Sequence, residues 1–276
     1  MTARQVVRGY FEHDVGRNGA ALAYYLLFAL FPLLLFVSNL LGLMQLDVAA
    51  VTHALARFLP KEIVSLAEGY LMHVAQNSSP ALFSFALVFT VWFPMRAANG
   101  LMGAVRRAYH LPKPARPFLY TLRQFIYTLV LLLTIALSLL FSIAGEWVMT
   151  RILALFPGVH SLPLIEILLR LWYFVRFVLL AAVMYMALST LYALSQDQRQ
   201  PLRAVLPGAI CSLSAWMTVS VGFSFYVENF ARYSVIYGTL GAVIALLIWL
   251  YLTAVILILG AELNAALQKQ RTEKED

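Results

Sequence analysis

The chain has 276 residues, of which 62% are hydrophobic and 12% charged, and its mean hydropathy is +0.80. Soluble domains hold roughly 45–50% apolar and about 25% charged residues, so this composition excludes an ordinary soluble protein and points to a polytopic helical membrane protein. The net charge of +7 is first explained by basic loops facing anionic lipid rather than by nucleic acid, and the single cysteine, Cys211, excludes an intrachain disulfide and a cysteine zinc site.

Residues 1–19 place Val6, Val7, Tyr10, Phe11 and Val15 at helical spacing, with Arg4, Arg8, Glu12 and Asp14 mostly elsewhere around the wheel. This predicts an interfacial helix lying on the cytoplasmic leaflet. The run from Ala20 to Leu43 is too long for a signal-peptide core and has no small-residue cleavage site after it, so it is read as a first span kinked at Pro32. Residues 44–79 read as two short amphipathic helices separated by Pro60, a helical hairpin in the first outer loop.

The remaining chain gives five further apolar stretches separated by proline-, glycine- and charge-rich connections. The expected spans are about 20–43, 81–105, 125–144, 168–194, 204–227 and 235–264, with 265–276 a charged tail expected to be disordered. The expected fold is therefore all-α, a six-helix membrane bundle forming a single domain over residues 1–276. Its last helix carries Gly238, Gly241, Ala242 and Ala245 at three- and four-residue spacing, a smooth stripe against which another helix packs closely in lipid.

Lys and Arg set the orientation. With both termini cytoplasmic, the inner segments hold Arg4, Arg8, Arg17, Arg106, Arg107, Lys113, Arg116, Arg123, Arg199, Arg203, Lys269, Arg271 and Lys274. The outer segments hold only Arg57, Lys61, Arg151, Arg170 and Arg232, and Arg96 and Arg176 fall within spans. The excess on the inner side predicts cytoplasmic N and C termini.

Two polar sets could carry function. Arg96 lies about 15 Å of helix from Arg106, and an arginine at that depth costs about 2.5–3.5 kcal/mol on insertion scales, so it should face the bundle interior or a water-filled cavity. Glu262 and Asp14 approach from the same side, and with Arg17, Asn18, Asn99 and Asn264 they form a candidate substrate pathway. The alternative is that Arg96 snorkels to the inner headgroups and Glu262 is merely interfacial. The second set is Glu146, Arg170, Arg176, Glu228 and Arg232 at the outer mouth, which either selects a charged solute or ties helix ends together.

No catalytic residues are predicted. His13, His53, His73, His110 and His160 fall on separate segments without a paired-histidine metal motif, and nucleophile-elbow, phosphate-loop and dinucleotide signatures are missing. The chain is thus not expected to be an enzyme and is expected to need no metal and no cofactor. Membrane lipids are its expected partners, nucleic acid is not, and a homo-oligomer is left open.

Gly19 to Phe36 (GAALAYYLLFALFPLLLF), Phe93 to Tyr109 (FPMRAANGLMGAVRRAY), Pro201 to Ile210 (PLRAVLPGAI) and Phe225 to Leu267 resemble, in order and over nearly the whole chain, the YihY/BrkB family of bacterial inner-membrane proteins. The most specific pieces are the tyrosine-glycine run before the last span and Gly260-Ala261-Glu262 at its end. The resemblance implies a six-helix protein of the inner membrane, linked to resistance to serum killing and envelope homeostasis and suggested to act in transport. The family has also carried a ribonuclease label, but the hydrophilic acid or histidine metal site that a nuclease needs is not seen in this sequence. The leading expectation is a transporter or flippase-like permease for an amphiphilic or charged small molecule, lipids included. The competing one is a structural or regulatory bundle. A cavity lined by Arg96, Asn99 and Glu262 would favour the first, tight packing around them the second.

Overall fold

The computed structural model describes residues 2–44, 49, 52–53, 56, 61–76, 80–155, 163–197, 202–229 and 239–275. Among these the regular structure is helical: α1 (Thr2–Glu12), α2 (Val15–Met44), α3 (Lys61–Gln76), α4 (Pro80–Ala108), α5 (Pro117–Leu155), α6 (Pro163–Leu194), α7 (Leu202–Asn229) and α8 (Thr239–Glu275). Three of them open on proline, which fits the first helical turn because its missing N–H would have no intrahelical acceptor there. Pro32, Pro94 and Pro207 lie inside α2, α4 and α7 without ending them.

Among the described residues, five stretches are long and apolar enough to cross a membrane: Val15–Leu34, Pro117–Ser138, Phe177–Leu194, Arg203–Val227 and Gly241–Arg271. Their outward faces carry Phe31, Leu133, Phe177, Val221 and other large apolar side chains at high exposure, as helices bathed in hydrocarbon require.

α4 packs against α2, α5, α6 and α8 and so stands near the centre of the bundle. Its packed face is the side bearing Ala97, Ala98, Leu101, Met102 and Val105, which join Val15 and Leu22 of α2, Tyr127 of α5, Leu191 and Tyr192 of α6, Val205 and Ala209 of α7, and Ala254, Ile258 and Ala261 of α8 in one core. A smaller core sets Ala23 of α2 against Ala242, Leu246 and Leu250 of α8, so part of the small-residue stripe foreseen on the last helix is used for helix contact.

The elements depart from the sequence expectation in the tail and in the third span. The tail does not leave the helix at residue 265; α8 runs on to Glu275, because its sequence is rich in the helix formers Gln, Lys, Arg and Glu and has no glycine or proline to stop it. The third span is a much longer helix, starting at Pro117. Of the predicted hairpin, α3 is seen, with Val64, Ala67 and Leu71 buried at helical spacing, while most of its first half lies outside the described residues.

Candidate functional site

The polar residues gather at one end of the bundle, where α1, the α4–α5 connection, the end of α6 and the last turns of α8 meet. This basic end holds Arg106, Arg107, Arg123 and Lys269. α1 stops there because Asp14 takes a left-handed backbone conformation, φ 51°, which aspartate tolerates better than most residues. The Asn18 amide donates to the carbonyls of His13 (2.8 Å) and Asp14 (3.0 Å) and so fastens the turn. The reversal sends neighbouring side chains in opposite directions. Asp14 goes to the surface and pairs with Arg17 at 2.7 Å, and His13 turns inward.

There His13 Nδ1–H donates to Glu262 Oε1 at 2.6 Å. Glu262 is only 5% exposed, so this bond replaces the water its carboxylate would otherwise hold. α1 can lie this close because residue 9 is glycine: a methyl there would run into the Glu262 carboxylate.

α4 ends in a second left-handed residue, His110, φ 51°. The N–H of His110 bonds the Arg107 carbonyl at 2.9 Å and that of Leu111 the Arg106 carbonyl at 2.9 Å, the paired pattern that commonly closes a helix on glycine. Histidine in that position costs roughly 1–2 kcal/mol of backbone strain and brings its ring edge-on to His13, centroids 4.9 Å apart.

Arg106 is the structural pin of this end. It is 4% exposed and donates to the carbonyls of Ser195 (3.1 Å) and Pro112 (2.6 Å) and to both carboxylate oxygens of Asp197 (3.0 and 2.8 Å). Arg123 reaches the same carboxylate at 3.6 Å. The Arg106 hydrogen bond, helped by the two nearby guanidinium charges, holds the Asp197 carboxyl below its usual range. Because folding lowers the pKa of this carboxyl, the stabilisation is fully present above about pH 4 and is lost as pH falls through the folded value. Asp197 is 44% exposed, so Asp197→Asn should cost only about 1 kcal/mol at neutral pH. Thermal melts of the variant between pH 7 and pH 3 should show a shallower acid decline than the unaltered chain; identical slopes would rule out this linkage.

The predicted pathway residues separate. Glu262 and Asn264 are buried at the basic end, Asn264 with its amide donating to the Val205 carbonyl (3.0 Å) and its oxygen accepting from Gly208 N–H (2.6 Å). Asn18 accepts from Arg107 at 2.7 Å, and Arg17 is engaged with Asp14. Arg96 does not meet Glu262 or Asp14: it is exposed on α4 with its guanidinium 4.9 Å from the Trp92 ring centroid. Asn99, one turn further along the same face, accepts from Gln124 at 2.7 Å. The physical reason is the helix wheel, since the buried Ala98, Leu101 and Val105 mark the middle of the packed side of α4 and Arg96 stands nearly opposite. Of the outer set, Arg232 lies outside the described residues, as do the side chains of Glu146, Arg170, Arg176 and Glu228.

Sequence reasoning missed His13, His110, Arg106 and Asp197 as members of the site. The available signals were a histidine and a glycine, four residues apart, on the terminal amphipathic helix, and Arg106-Arg107 directly before a helix stop.

Around His13, His110 and Asp197 lies an open cavity of about 830 Å³. Its walls carry Arg8 and Glu12 of α1, His13 in the turn after it, Tyr109 and His110 after α4, Asp197 after α6, and Glu262, Ala265 and Lys269 of α8; neither Arg96 nor Asn99 borders it. The volume falls in the roughly 300–1,000 Å³ range of small-molecule sites. Among the described residues no group of three or more histidine, cysteine, aspartate or glutamate side chains is arranged to hold a metal ion.

Comparison with known proteins places this arrangement in a family. The family model described as "Virulence factor BrkB" matches residues 6–276. The chain is 30% identical over 268 residues to the ribonuclease-like protein YfkH of Bacillus subtilis, covering 97% of this chain and 95% of that protein. A UPF0761 membrane protein of Pseudoalteromonas translucida is 34% identical over 83 residues, 30% of this chain and 28% of that protein. Another, of Alkalilimnicola ehrlichii, is 41% identical over 81 residues, 29% of this chain and 18% of that protein. No solved structure matches. The match along nearly its full length makes the chain a membrane protein of the BrkB family.

Proposed function

We propose that the chain is a six-span permease of the bacterial inner membrane, serving envelope homeostasis by moving an amphiphilic or charged small molecule, lipids included. α4 supplies the sixth crossing in this reading: 29 residues make about 43 Å of helix, longer than the roughly 30 Å hydrocarbon core. The basic end faces the cytoplasm, as the distribution of Lys and Arg supports. No catalytic step is part of the reading; the ribonuclease-like name belongs to the Bacillus relative.

One observation carries it. A cavity of about 830 Å³ sits at the basic end of a bundle whose spans are otherwise packed or apolar, and a carboxylate on a membrane-crossing helix, Glu262, forms part of its wall. Ionisable groups buried at such depth are costly and commonly mark a solute or proton route. A second reading, a non-transporting structural or regulatory bundle, is favoured by the saturation of Arg106 and Asn264 with helix-joining bonds. Reconstitution separates the two: vesicles holding the purified chain should move lipid or charged solute across the bilayer faster than protein-free vesicles, and equal rates would favour the bundle.

A further inference from the structure

Arg96 is a charge that the cavity leaves unused. Its level in the bundle is fixed by its neighbours: Phe93 stacks on Phe28 of the span Val15–Leu34, centroids 6.2 Å apart, and Asn99 accepts from Gln124 of the span Pro117–Ser138 at 2.7 Å. Arg96 thus lies among membrane-crossing helices, about 15 Å of helix from Arg106. Its guanidinium does not turn back towards the basic end. It sits 4.9 Å from the ring centroid of Trp92, one turn further from that end, and both side chains are exposed.

The face around it is built for an anion. Phe93 leans towards α2 and Asn99 towards α5, and between them Trp92, Arg96, Asn99, Gly103 and Arg107 recur every three or four residues along one largely open side of α4. An arginine at this depth is costly unless it meets a negative group, and a bilayer relieves the cost by thinning locally so that headgroups and water reach it. No acid of the flanking helices can serve: α2 and α4 hold none, and Glu146, the one acid of α5, lies about 33 Å of helix beyond Gln124.

We propose that this face of α4 binds an anionic phospholipid, with the Arg96 guanidinium on its phosphate and its acyl chains along the exposed Phe28 and Trp92. The guanidinium fork matches phosphate oxygens, and the Trp92 ring beneath it limits its orientations. Arg107, further along the same side, adds a second positive charge, and without a carboxylate there is nothing to receive the ammonium of a zwitterionic headgroup. A second copy of the chain is a poor cover, because a two-fold contact centred here would set Arg96 against Arg96. The site lies outside the cavity and stands whether or not the chain transports.

Native mass spectrometry of the full chain in neutral detergent tests this, with dioleoyl phosphatidylglycerol and dioleoyl phosphatidylcholine titrated separately. Because charge-assisted pairs are the strong hydrogen bonds, the first phosphatidylglycerol adduct should form at about a tenfold lower lipid concentration than the first phosphatidylcholine adduct. Arg96→Gln should remove that preference. The variant should fold, since Arg96 is exposed and its contact is with the Trp92 ring. Arg116→Gln, at an exposed arginine of the α4–α5 connection, removes the same charge and should leave the preference intact. Equal binding of the two lipids by the unaltered chain, or a preference that survives in Arg96→Gln, overturns the proposal. So does a dimer that falls apart in Arg96→Gln, because the face then belongs to a second copy.

Discussion

Gly260→Val should yield little or no folded protein. Gly260 of α8 faces Gly208 of α7, and a methyl built on residue 260 would collide with the Ser212 hydroxyl, the Tyr192 hydroxyl and the Gly208 carbonyl. The same contact is surrounded by hydrogen bonds that need the short separation. Tyr192 and Ser212 hydroxyls meet at 2.9 Å, Tyr192 donates to the Leu257 carbonyl at 2.8 Å, and Ser212 to that of Ile256 at 3.2 Å. In lipid there is little hydrophobic force between helices, so close packing and such bonds hold them together. Overpacking a tight core costs about 1–3 kcal/mol and each lost hydrogen bond roughly 1 kcal/mol more. Gly260→Ala should therefore lower the melting temperature clearly, and Gly260→Val should abolish a monodisperse, folded species. Gly69, whose added methyl meets nothing within 4 Å, is the control, and its alanine variant should be slightly stabilised. Wild-type melting of Gly260→Val would mean that α7 and α8 do not cross here.

The second large effect concerns His13 and Glu262. Removing the imidazole leaves a carboxylate at 5% exposure without its partner, and stranding a buried charge in this way costs about 3–5 kcal/mol. His13→Ala should thus destabilise the chain strongly. Glu262→Ala should cost less, because an imidazole at 14% exposure can stay neutral. The double variant should be more stable than the sum of the two losses predicts, with a coupling of about 1–3 kcal/mol. Since this pair joins the turn after α1 to α8, both single variants should also speed tryptic cleavage after Arg4 and Arg8, which lie at the surface but are held in a helix. Additive losses and unchanged proteolysis would show that α1 is not held by this bond.

Composition and periodicity were enough to identify the membrane class and the helical content, since apolar length is a direct requirement of the bilayer, but the helix starts at Pro117 and Pro163 were placed at about 125 and 168. Glu262 stood out because an acid on an apolar helix is expensive wherever it lies. Its partner was not legible in the same way. Asp14 and Arg96 were the obvious charges, but a left-handed turn at Asp14 exchanges the directions of residues 13 and 14, and no periodicity reports such a turn. Arg96 was misplaced for a different reason: its depth was weighed and its side of the helix was not, although the apolar Ala98, Leu101 and Val105 opposite it carried that information. Asp197 lies in a short connection, where only the tertiary meeting of α4, α5 and α6 brings it to Arg106.

The cavity as a solute route is tested most directly by blocking it. Ala265 borders the space on α8, and Cys211, exposed on α7, can be replaced by serine to give a chain without other thiols. Flux through vesicles containing the Ala265→Cys chain should match the parent before treatment and fall to the protein-free background after a bulky thiol reagent fills the cavity. Unchanged flux with the cysteine fully modified would contradict the route.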